Sequence, residues 1–257
     1  MPGELAVQST ARYRATCWAL EELLLSALRR AVAEFGCDCA TLGGIDSALL
    51  VAIAKLLGSR LRCYTVVFTG GLPRDLAYAE HLSKWLNVEL RYVLIDEAYI
   101  RGVLEELTRC IGEVTHELCV ELRNDVVYFA ALSEAKRDGC RCVLLGSGGD
   151  EVFAGYRFML ELPDELLEER RDRYARGGRY PELLVARCLG VRAVAPYLSQ
   201  EVLEVALRIP ASCLRGYGEG KAVLRELLRR LGLDTIARRA KVPAEGGAGT
   251  DSVCIAP

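Results

Sequence analysis

Two short glycine-rich segments carry the residue types best suited to chemistry. The first is residues 43–47, Gly-Gly-Ile-Asp-Ser, and the second is residues 146–151, Gly-Ser-Gly-Gly-Asp-Glu. Each segment follows a short apolar run and leads into a helical pattern. A strand, a tight glycine turn and a helix start form an anion site, because free backbone N–H groups and the helix dipole both point at the ligand.

Each segment also contains one aspartate, Asp46 in the first and Asp150 in the second. Two anion-binding turns that each carry an acid could hold a polyphosphate together with the Mg²⁺ that neutralises it. The pattern therefore indicates a nucleotide-using enzyme or a close relative of one. The alternative for both aspartates is helix N-capping, and a glycine turn at a helix start can also be purely structural.

Four apolar runs alternate with helical patterns up to Leu145. We predict strands over residues 37–42, 61–68, 88–95 and 140–145, and helices over 46–57, 75–86, 96–109 and 120–138. Near-continuous apolar strands that alternate with helices favour a parallel sheet covered on both faces. We therefore expect an α/β fold with a five-stranded parallel sheet flanked by helices, four strands of which are those above.

The rest of the chain has mainly helical patterns. A helix is predicted over 18–34, and further helices over 164–176, 180–189, 199–208 and 219–231. Charged residues are dense over 161–173, which we interpret as a solvated helix face with i,i+4 pairs. We predict a single domain: an N-terminal helix (1–35), a nucleotide-binding core (36–160), a helical C-terminal part (161–241) and a flexible tail (242–257).

Composition excludes several classes of function. The chain has 257 residues, of which 51% are hydrophobic, so it can bury a sizeable core. Its formal net charge of −2 gives no electrostatic basis for a nucleic-acid or general membrane partner. No apolar stretch is long enough to span a bilayer and no secretory signal is visible, so we expect a cytoplasmic protein.

Two minor features of the composition suggest a thermophilic source. Asparagine and glutamine occur twice each, and scarce amides are a thermophile tendency. The chain also has 11 cysteines, which is less unusual in hyperthermophiles, where intracellular disulfides occur.

Five segments resemble one known family. Residues 43–47 resemble the pyrophosphate-binding loop of the N-type ATP pyrophosphatases, the PP-loop family. Residues 143–156 are similar to the second signature of asparagine synthetases, and three later segments, 190–198, 221–225 and 239–241, resemble further motifs of that family. The order and approximate spacing agree over residues 17–250. The resemblance implies the adenine nucleotide alpha hydrolase-like fold and only the synthetase domain.

The resemblance also implies a reaction. A carboxylate attacks the α-phosphorus of ATP to give an acyl-adenylate and pyrophosphate, and a nitrogen nucleophile then displaces AMP. Such chemistry needs Mg²⁺ and cations on the departing pyrophosphate, where charge accumulates as the bond breaks. The implied cofactors are therefore ATP and Mg²⁺, and the implied substrate is a small carboxylate, aspartate by family default.

The family's functional positions map onto this chain residue by residue. Asp46 and Asp150 are the implied magnesium acids, Lys221 the catalytic lysine, Arg123 a pyrophosphate contact and Ser147 the residue at the family's glutamate. The implied nucleotide-binding positions are Thr41, Leu42, Gly43, Gly44, Asp46, Ser47, Leu145, Gly146 and the backbone of Val66. The alternatives are a solvated lysine, a surface arginine and an ordinary core strand around Val66.

Several positions depart from the family pattern. Leu42 and Leu145 replace serines that donate hydrogen bonds, and Ser147 cannot act as a carboxylate base. Further departures are Arg179, Pro181, Val194 and Ser199. They motivate two rival hypotheses: an inactive, nucleotide-binding partner subunit, and a ligase that makes a different amide, such as a lactam or peptide ring. The acidic balance and the lack of Cys-x-x-Cys pairs disfavour a tRNA thiolation enzyme.

The source of nitrogen follows from the N-terminus. Glutamine-dependent relatives have a nucleophilic cysteine directly after Met1, and this chain has Pro2 there. We therefore expect no glutaminase domain, with nitrogen from free ammonia, a separate glutaminase subunit or an amine on the substrate. A homodimer is one oligomeric state to consider.

Two Cys-x-Cys pairs open the strands before the glycine-rich segments at the same offset: Cys37 with Cys39, and Cys140 with Cys142. Alternation along a strand puts both sulfurs of a pair on one face. If the two strands are neighbours, as the family order implies, the pairs lie side by side, with Asp38 opposite Arg141. The cysteines are then small buried hydrophobes, disulfides, or a zinc or iron–sulfur site.

Overall fold

The computed structural model describes residues 2–112, 118–216 and 219–253. The chain divides into two compact units. The helical unit comprises Met1–Glu34, Ser147–Arg179 and Ala195–Ala240. The sheet unit comprises Phe35–Gly146, Tyr180–Val194 and Lys241–Pro257.

The sheet unit is built on five parallel strands. These are β1 (Cys39–Thr41), β2 (Arg62–Phe68), β3 (Glu89–Ile95), β4 (Val143–Leu144) and β5 (Ala193–Val194), in the order β3-β2-β1-β4-β5. The predicted five-stranded parallel sheet is confirmed. β1 and β4, which lead into the two glycine-rich segments, are neighbours at its centre, as expected.

Helices account for most of the remaining described residues. In chain order they are α1 (Pro2–Phe35), α2 (Ile45–Leu56), α3 (Leu76–Leu86), α4 (Glu97–Ile111), α5 (Leu118–Arg137), α6 (Gly149–Val152), α7 (Arg157–Leu160), α8 (Asp164–Gly177), α9 (Pro181–Leu189), α10 (Gln200–Ala206), α11 (Ala211–Leu214), α12 (Ala222–Arg230), α13 (Asp234–Ala237) and α14 (Ala244–Ala248). 3₁₀ turns cover Pro196–Leu198 and Thr250–Ser252. No described helix is long and apolar enough to cross a lipid bilayer.

The core of the sheet unit lies between the sheet and helices α4, α5 and α9. Its members are apolar residues spaced for one buried face of each element, such as Val126, Phe129 and Leu145. The helical unit buries its own apolar residues, and there Phe153 and Tyr197 meet edge to face with their ring centroids 5.4 Å apart. Burial of this apolar surface supplies most of the stabilisation of each unit.

Four disulfides join described cysteines, each inside one unit. Cys37–Cys142 and Cys39–Cys140 connect the β1 and β4 segments of the sheet unit, with Cα separations of 4.5 and 6.0 Å. The other two are Cys110–Cys188, between α4 and α9, and Cys17–Cys213, between α1 and α11. The Cys-x-Cys pairs therefore form disulfides, which is one of the three interpretations that the sequence leaves open.

Asp38 braces the same end of β1 and β4. Its carboxylate accepts hydrogen bonds from the main-chain N–H groups of Arg141 and Cys142, both at 3.0 Å, and from the Arg141 guanidinium at 3.1 Å. Burial raises the pKa of Asp38, but these hydrogen bonds outweigh it and hold the pKa below its usual value. The predicted Asp38–Arg141 pairing is thus present.

Several segments differ from their predicted form. β1 and β4 are shorter than expected, and the two-residue β5 is too short to leave a pattern in the sequence. Val242 opens what we expected to be a flexible tail, yet up to Val253 the chain forms α14 and a 3₁₀ turn, with Gly246–Ala248 and Thr250 buried. The expected solvated face over 161–173 contains one fully buried charged side chain, Arg171, besides the buried Leu167.

Candidate functional site

The first glycine-rich segment forms a tight turn between β1 and α2. β1 ends at Thr41, and the Leu42 N–H donates to the Tyr64 carbonyl at 2.8 Å. The Ser47 hydroxyl accepts from the Gly43 N–H at 3.1 Å and donates to the Gly44 carbonyl at 3.2 Å. Ser47 thereby closes the turn and fixes the direction in which α2 begins.

The start of α2 has the features of an anion site. Gly44 is its N-cap, and the first bond inside the helix runs from the Ala48 N–H to the Gly44 carbonyl at 3.1 Å. The N–H groups of Ile45 and Asp46 precede that bond and so have no acceptor within the helix. A Cβ added to Gly44 would meet no atom within 4 Å, so space is open there. These groups fit a phosphate ligand.

Gly146 packs directly on this turn. A Cβ at Gly146 would lie 3.0 Å from the Asp46 Cβ and 3.0 Å from the Ser47 nitrogen. Any larger residue would push α2 away from β4. The structure therefore brings together Gly146, Asp46 and Ser47 within the sheet unit.

Leu42 and Leu145 are both buried. Their side chains are 3% and 0% exposed, and Leu145 belongs to the core cluster of the sheet unit. The Leu145 N–H donates to the Val194 carbonyl at 2.9 Å. A leucine side chain has no hydrogen-bond donor, so these residues could offer a nucleotide only main-chain hydrogen bonds.

The main-chain groups of Val66 face the β1 side of β2, and adenine binding there stays a prediction. The Arg62 N–H donates to the Asp38 carbonyl at 3.0 Å, and the Tyr64 carbonyl accepts from Leu42, so both residues face β1. Main-chain groups alternate sides along a strand, so Val66 faces the same side. β1 pairs with β2 only as far as Thr41, and Val66 lies beyond that end. Its side chain is in the core.

Asp75, which the sequence suggested only as a helix start, lies beside the first turn. A Cβ at Gly43 would come within 2.3 Å of its carboxylate oxygen, and one at Gly247 within 2.4 Å. The Asp75 N–H also donates to the Gly247 carbonyl at 2.9 Å. Asp75 therefore adds an acid to this region, and two glycines far apart in sequence make room for it.

Arg123 contacts the C-terminal segment of the sheet unit. Its guanidinium donates to the Asp251 carbonyl at 2.8 Å, and the Thr250 hydroxyl donates to the Arg123 carbonyl at 2.7 Å. These bonds hold the 3₁₀ turn against α5. A pyrophosphate contact for Arg123 stays a prediction.

The helical unit contains Asp150 of segment 143–156 and Lys221 of segment 221–225. Asp150 lies in the single turn of α6, and its carboxylate forms an ion pair with the Lys221 ammonium at 2.9 Å. The Lys221 side chain is 5% exposed. The Lys221 backbone is left-handed, with φ of 54°, and its N–H donates to the Phe153 carbonyl at 2.9 Å.

Glycines at the two ends of this turn are required by close packing. Gly148, the N-cap of α6, has φ of 87°, and a Cβ there would lie 2.5 Å from the Leu198 side chain. A Cβ at Gly155 would lie 1.9 Å from an Asp150 carboxylate oxygen and 2.3 Å from the Lys221 side chain. Both glycines thus let the chain wrap closely around the ion pair.

Ser147 and Glu151 lie on either side of Asp150 in sequence. The Ser147 hydroxyl is buried and has no hydrogen-bond partner among the described residues, so it has a donor left for a ligand. Burial raises the pKa of Glu151, and the Tyr156 hydroxyl donates to its carboxylate. Glu151 is a partly buried carboxylate that the resemblance did not single out.

Two buried arginines also escaped the sequence interpretation. Arg225 donates to the carbonyls of Gly220, Ala237 and Arg239 at 3.1, 2.6 and 2.7 Å and so holds the segment before Lys221. Arg171 bonds to three other carbonyls of the helical unit. Arginines on charged helices are usually solvated, so no pattern in the sequence marks these two as buried.

The donor set suits Mg²⁺ shared with a polyphosphate. Among the described residues, no group of three or more histidine, cysteine, aspartate or glutamate side chains could hold a metal ion. Mg²⁺ is commonly held by one or two carboxylates together with phosphates and water rather than by an all-protein cage. Within the sheet unit, Asp46 at an anion-binding helix start is an acid of the kind that this mode of binding uses; a metal-binding role for Asp46 or Asp150 stays a prediction.

Comparisons with known proteins agree with these features. The asparagine synthase family model matches residues 19–188 and 184–252. A putative glutamine-hydrolysing asparagine synthetase of Methanocaldococcus jannaschii is 32% identical over 193 residues, covering 70% of this chain and 34% of the relative. Asparagine synthetase B of Escherichia coli is 26% identical over 233 residues, covering 80% and 40%.

One solved structure shows the same fold. NMN synthetase from Francisella tularensis aligns with a TM-score of 0.50 at 15% identity, covering 90% of this chain and 77% of that one. The chain spans between a third and two-fifths of the length of the two curated relatives. Its sheet order, its two glycine-rich turns and the match to the family model along most of its length lead to one conclusion: the chain belongs to the asparagine synthase family.

Proposed function

We propose that this chain is an ATP-dependent, AMP-forming carbon–nitrogen ligase. The observation that carries the proposal is the Asp150–Lys221 ion pair in a family member whose α2 start is built as an anion site. Lys221 is buried against one acid and supplies a cation of the kind needed where pyrophosphate departs. The relatives named as asparagine synthetases support this reaction class.

Each part of the chain takes one role in the proposed reaction. The first amides of α2 bind phosphate oxygens, and the Val66 main chain orients the adenine edge. Asp46 and Asp150 would hold Mg²⁺, which neutralises charge on the phosphates when it is bound. The Lys221 ammonium stabilises the charge that develops on the leaving group.

Fewer residues of this chain are assigned to the second step, in which a nitrogen nucleophile displaces AMP, than to the first. Ser147 stands where the family has a glutamate, so nitrogen would arrive as a neutral nucleophile, from free ammonia or from a partner that releases it. Aspartate is the default carboxylate, since the named relatives are asparagine synthetases. We extend the proposal to asparagine formation in the cytoplasm on that basis.

A second candidate function is a nucleotide-binding subunit without its own catalysis. The observation that favours it is Ser147, whose hydroxyl cannot replace a carboxylate base. Leu42 and Leu145, which lack the hydroxyl groups of the family's serines, also motivate it. A ligase for a different amide, such as a lactam or a peptide ring, fits the same observations.

The test is product analysis. Purified protein is incubated with ATP, Mg²⁺, ammonium and one of a panel of carboxylic acids headed by aspartate, and nucleotides and amides are separated by chromatography. We expect AMP and amide in equal amounts with one acid, and loss of both in Asp150→Asn. ADP as the product would contradict the proposal, and no turnover with any acid would favour the subunit.

A further inference from the structure

Arg171 is the largest fully buried side chain of the molecule's described part, with 0% exposure. It lies on α8, whose other charged residues face solvent or are partly exposed. Burial, the main effect, lowers the pKa of Arg171 to about 10, partly offset by the charge of Glu168. The guanidinium therefore stays charged at neutral pH while it is removed from water.

Main-chain carbonyls take the place of a counterion. Arg171 Nε donates to the Val152 carbonyl at 2.6 Å, and its two terminal nitrogens donate to Ile209 at 2.9 Å and Ala206 at 2.6 Å. Val152 ends α6 and Ala206 ends α10. The last carbonyls of a helix have no partner inside it and carry partial negative charge, so a buried cation is stabilised there.

The Val152 carbonyl that Arg171 binds begins the turn of residues 152–155 at the end of α6. The next carbonyl, that of Phe153, accepts from the Lys221 N–H, and the Gly155 N–H donates to the Asp150 carbonyl at 2.8 Å. Ala154, between them, has a left-handed backbone with φ of 56°, which costs energy in a residue other than glycine. A turn with this conformation needs its neighbouring carbonyls held in place.

We propose that Arg171 is a positioning residue for the Asp150–Lys221 pair, because it holds the main chain of residues 152–155 in the conformation that presents Asp150 to Lys221. Lysine cannot replace it, because one ammonium cannot reach three carbonyls in the planar fork geometry of a guanidinium. The catalytic consequence rests on the proposed function of the pair, whereas the conformational consequence does not.

The first experiment is amide hydrogen exchange by NMR in Arg171→Lys and Arg171→Met. The control variants are Arg176→Lys and Arg176→Met, since Arg176 is exposed on the same helix and pairs with Asp172. In the Arg171 variants we expect about tenfold or faster exchange of the Gly155 and Lys221 amides, with the Leu233 amide unchanged. Leu233 donates to Leu228 elsewhere in the helical unit and reports its global stability.

Two results would overturn the proposal: unchanged exchange at Gly155 and Lys221, or equal acceleration at all three amides, which would mean that Arg171 merely stabilises the unit. If Arg171→Met does not fold, Arg171→Lys gives the same readout.

The second experiment measures binding of inorganic pyrophosphate by calorimetry at increasing Mg²⁺. We expect the half-saturating Mg²⁺ concentration to rise by about 10- to 100-fold in Arg171→Lys, as for other residues that orient metal ligands, and to stay unchanged in Arg176→Lys. An unchanged value in Arg171→Lys would contradict the positioning role. Wild-type protein that binds no pyrophosphate at all would instead overturn the proposed function, and hydrogen exchange would still decide the role of Arg171.

Discussion

At the scale of the residue, Lys221 combines two unfavourable features. Its backbone is left-handed and its ammonium is buried. Each feature costs free energy, and such costs concentrate at functional sites. The ion pair with Asp150 offsets the burial, so the acid and the lysine depend on each other even without a ligand.

A double-mutant cycle tests this dependence. Lys221→Met leaves Asp150 without its counterion and Asp150→Asn leaves a buried ammonium, so each single change lowers the free energy of unfolding. In the double variant neither charge remains. We expect a coupling of about 1–3 kcal/mol in denaturant unfolding. Additive single effects would mean that the pair contributes nothing.

Gly155 is the second residue on which the geometry of the pair depends. Gly155→Ala places a Cβ 1.9 Å from Asp150 and 2.3 Å from Lys221, so the pair must move apart. We expect AMP formation to fall on the order of 100-fold, as for other displacements of about 1 Å.

Gly177→Ala is the matched control for this change. Gly177 lies in the same unit with no atom within 4 Å of an added Cβ, so this variant should keep its activity. Equal activity in the two variants would show that the position of the pair does not limit the reaction.

Among the elements, β1 and β4 are held together more by disulfides than by main-chain hydrogen bonds between the strands. β1 has three residues and β4 has two, so few hydrogen bonds join them. The bridges Cys37–Cys142 and Cys39–Cys140 close loops of nearly the same length, with separations of 105 and 101 residues. Either bridge alone therefore removes most of the loop entropy of the unfolded chain.

Because either bridge closes nearly the same loop, removing the two bridges should have non-additive effects on the free energy of unfolding. Cys37→Ser/Cys142→Ser and Cys39→Ser/Cys140→Ser should each lower the free energy of unfolding by only about 1 kcal/mol, because the remaining bridge still closes the loop. Removing all four sulfurs should cost about 4–5 kcal/mol. Guanidinium unfolding of the three variants measures this. Losses that simply add would contradict the redundancy.

Asp38 makes the same junction sensitive to acid. Its pKa is lower in the folded protein than its usual value of 3.8, so the stabilisation is present above that value and is lost as pH falls through the folded pKa. Asp38→Asn should therefore be less stable than the wild type at pH 7, and the difference should shrink below pH of about 4. A difference that does not change with pH would mean that the carboxylate charge is irrelevant.

The elements also show what a single sequence can predict. β2 and β3 are long apolar runs, and their predicted ends were within one residue of those observed. β5 has only Ala193 and Val194, whose pairing with β4 depends on the rest of the fold, so it left no local signal. Frequent glycine and alanine after Val242 predict a flexible tail. In the structure these small residues let the segment pack closely.

At the scale of the whole molecule, the site could be predicted where the chemistry needs a local motif. Asp46, Gly146, Asp150 and Lys221 lie in recognisable segments. Gly146 packs on Asp46 and Asp150 pairs with Lys221, whereas their roles in the reaction stay predictions. Asp75 and Arg171 could not be predicted, because their roles depend on contacts between segments far apart in sequence. Those contacts exist only once each unit has folded.

Formation of an acyl-adenylate is the step on which the proposed function depends. Carboxylate-dependent exchange of labelled pyrophosphate into ATP detects this step. Without a nitrogen source, adenylate formation is reversible and should exchange label only when Mg²⁺ and the correct acid are present. We predict exchange with one acid of the panel, aspartate first, and a loss on the order of 100-fold in Lys221→Met. No exchange with any acid, or exchange that persists in Lys221→Met, would contradict the account.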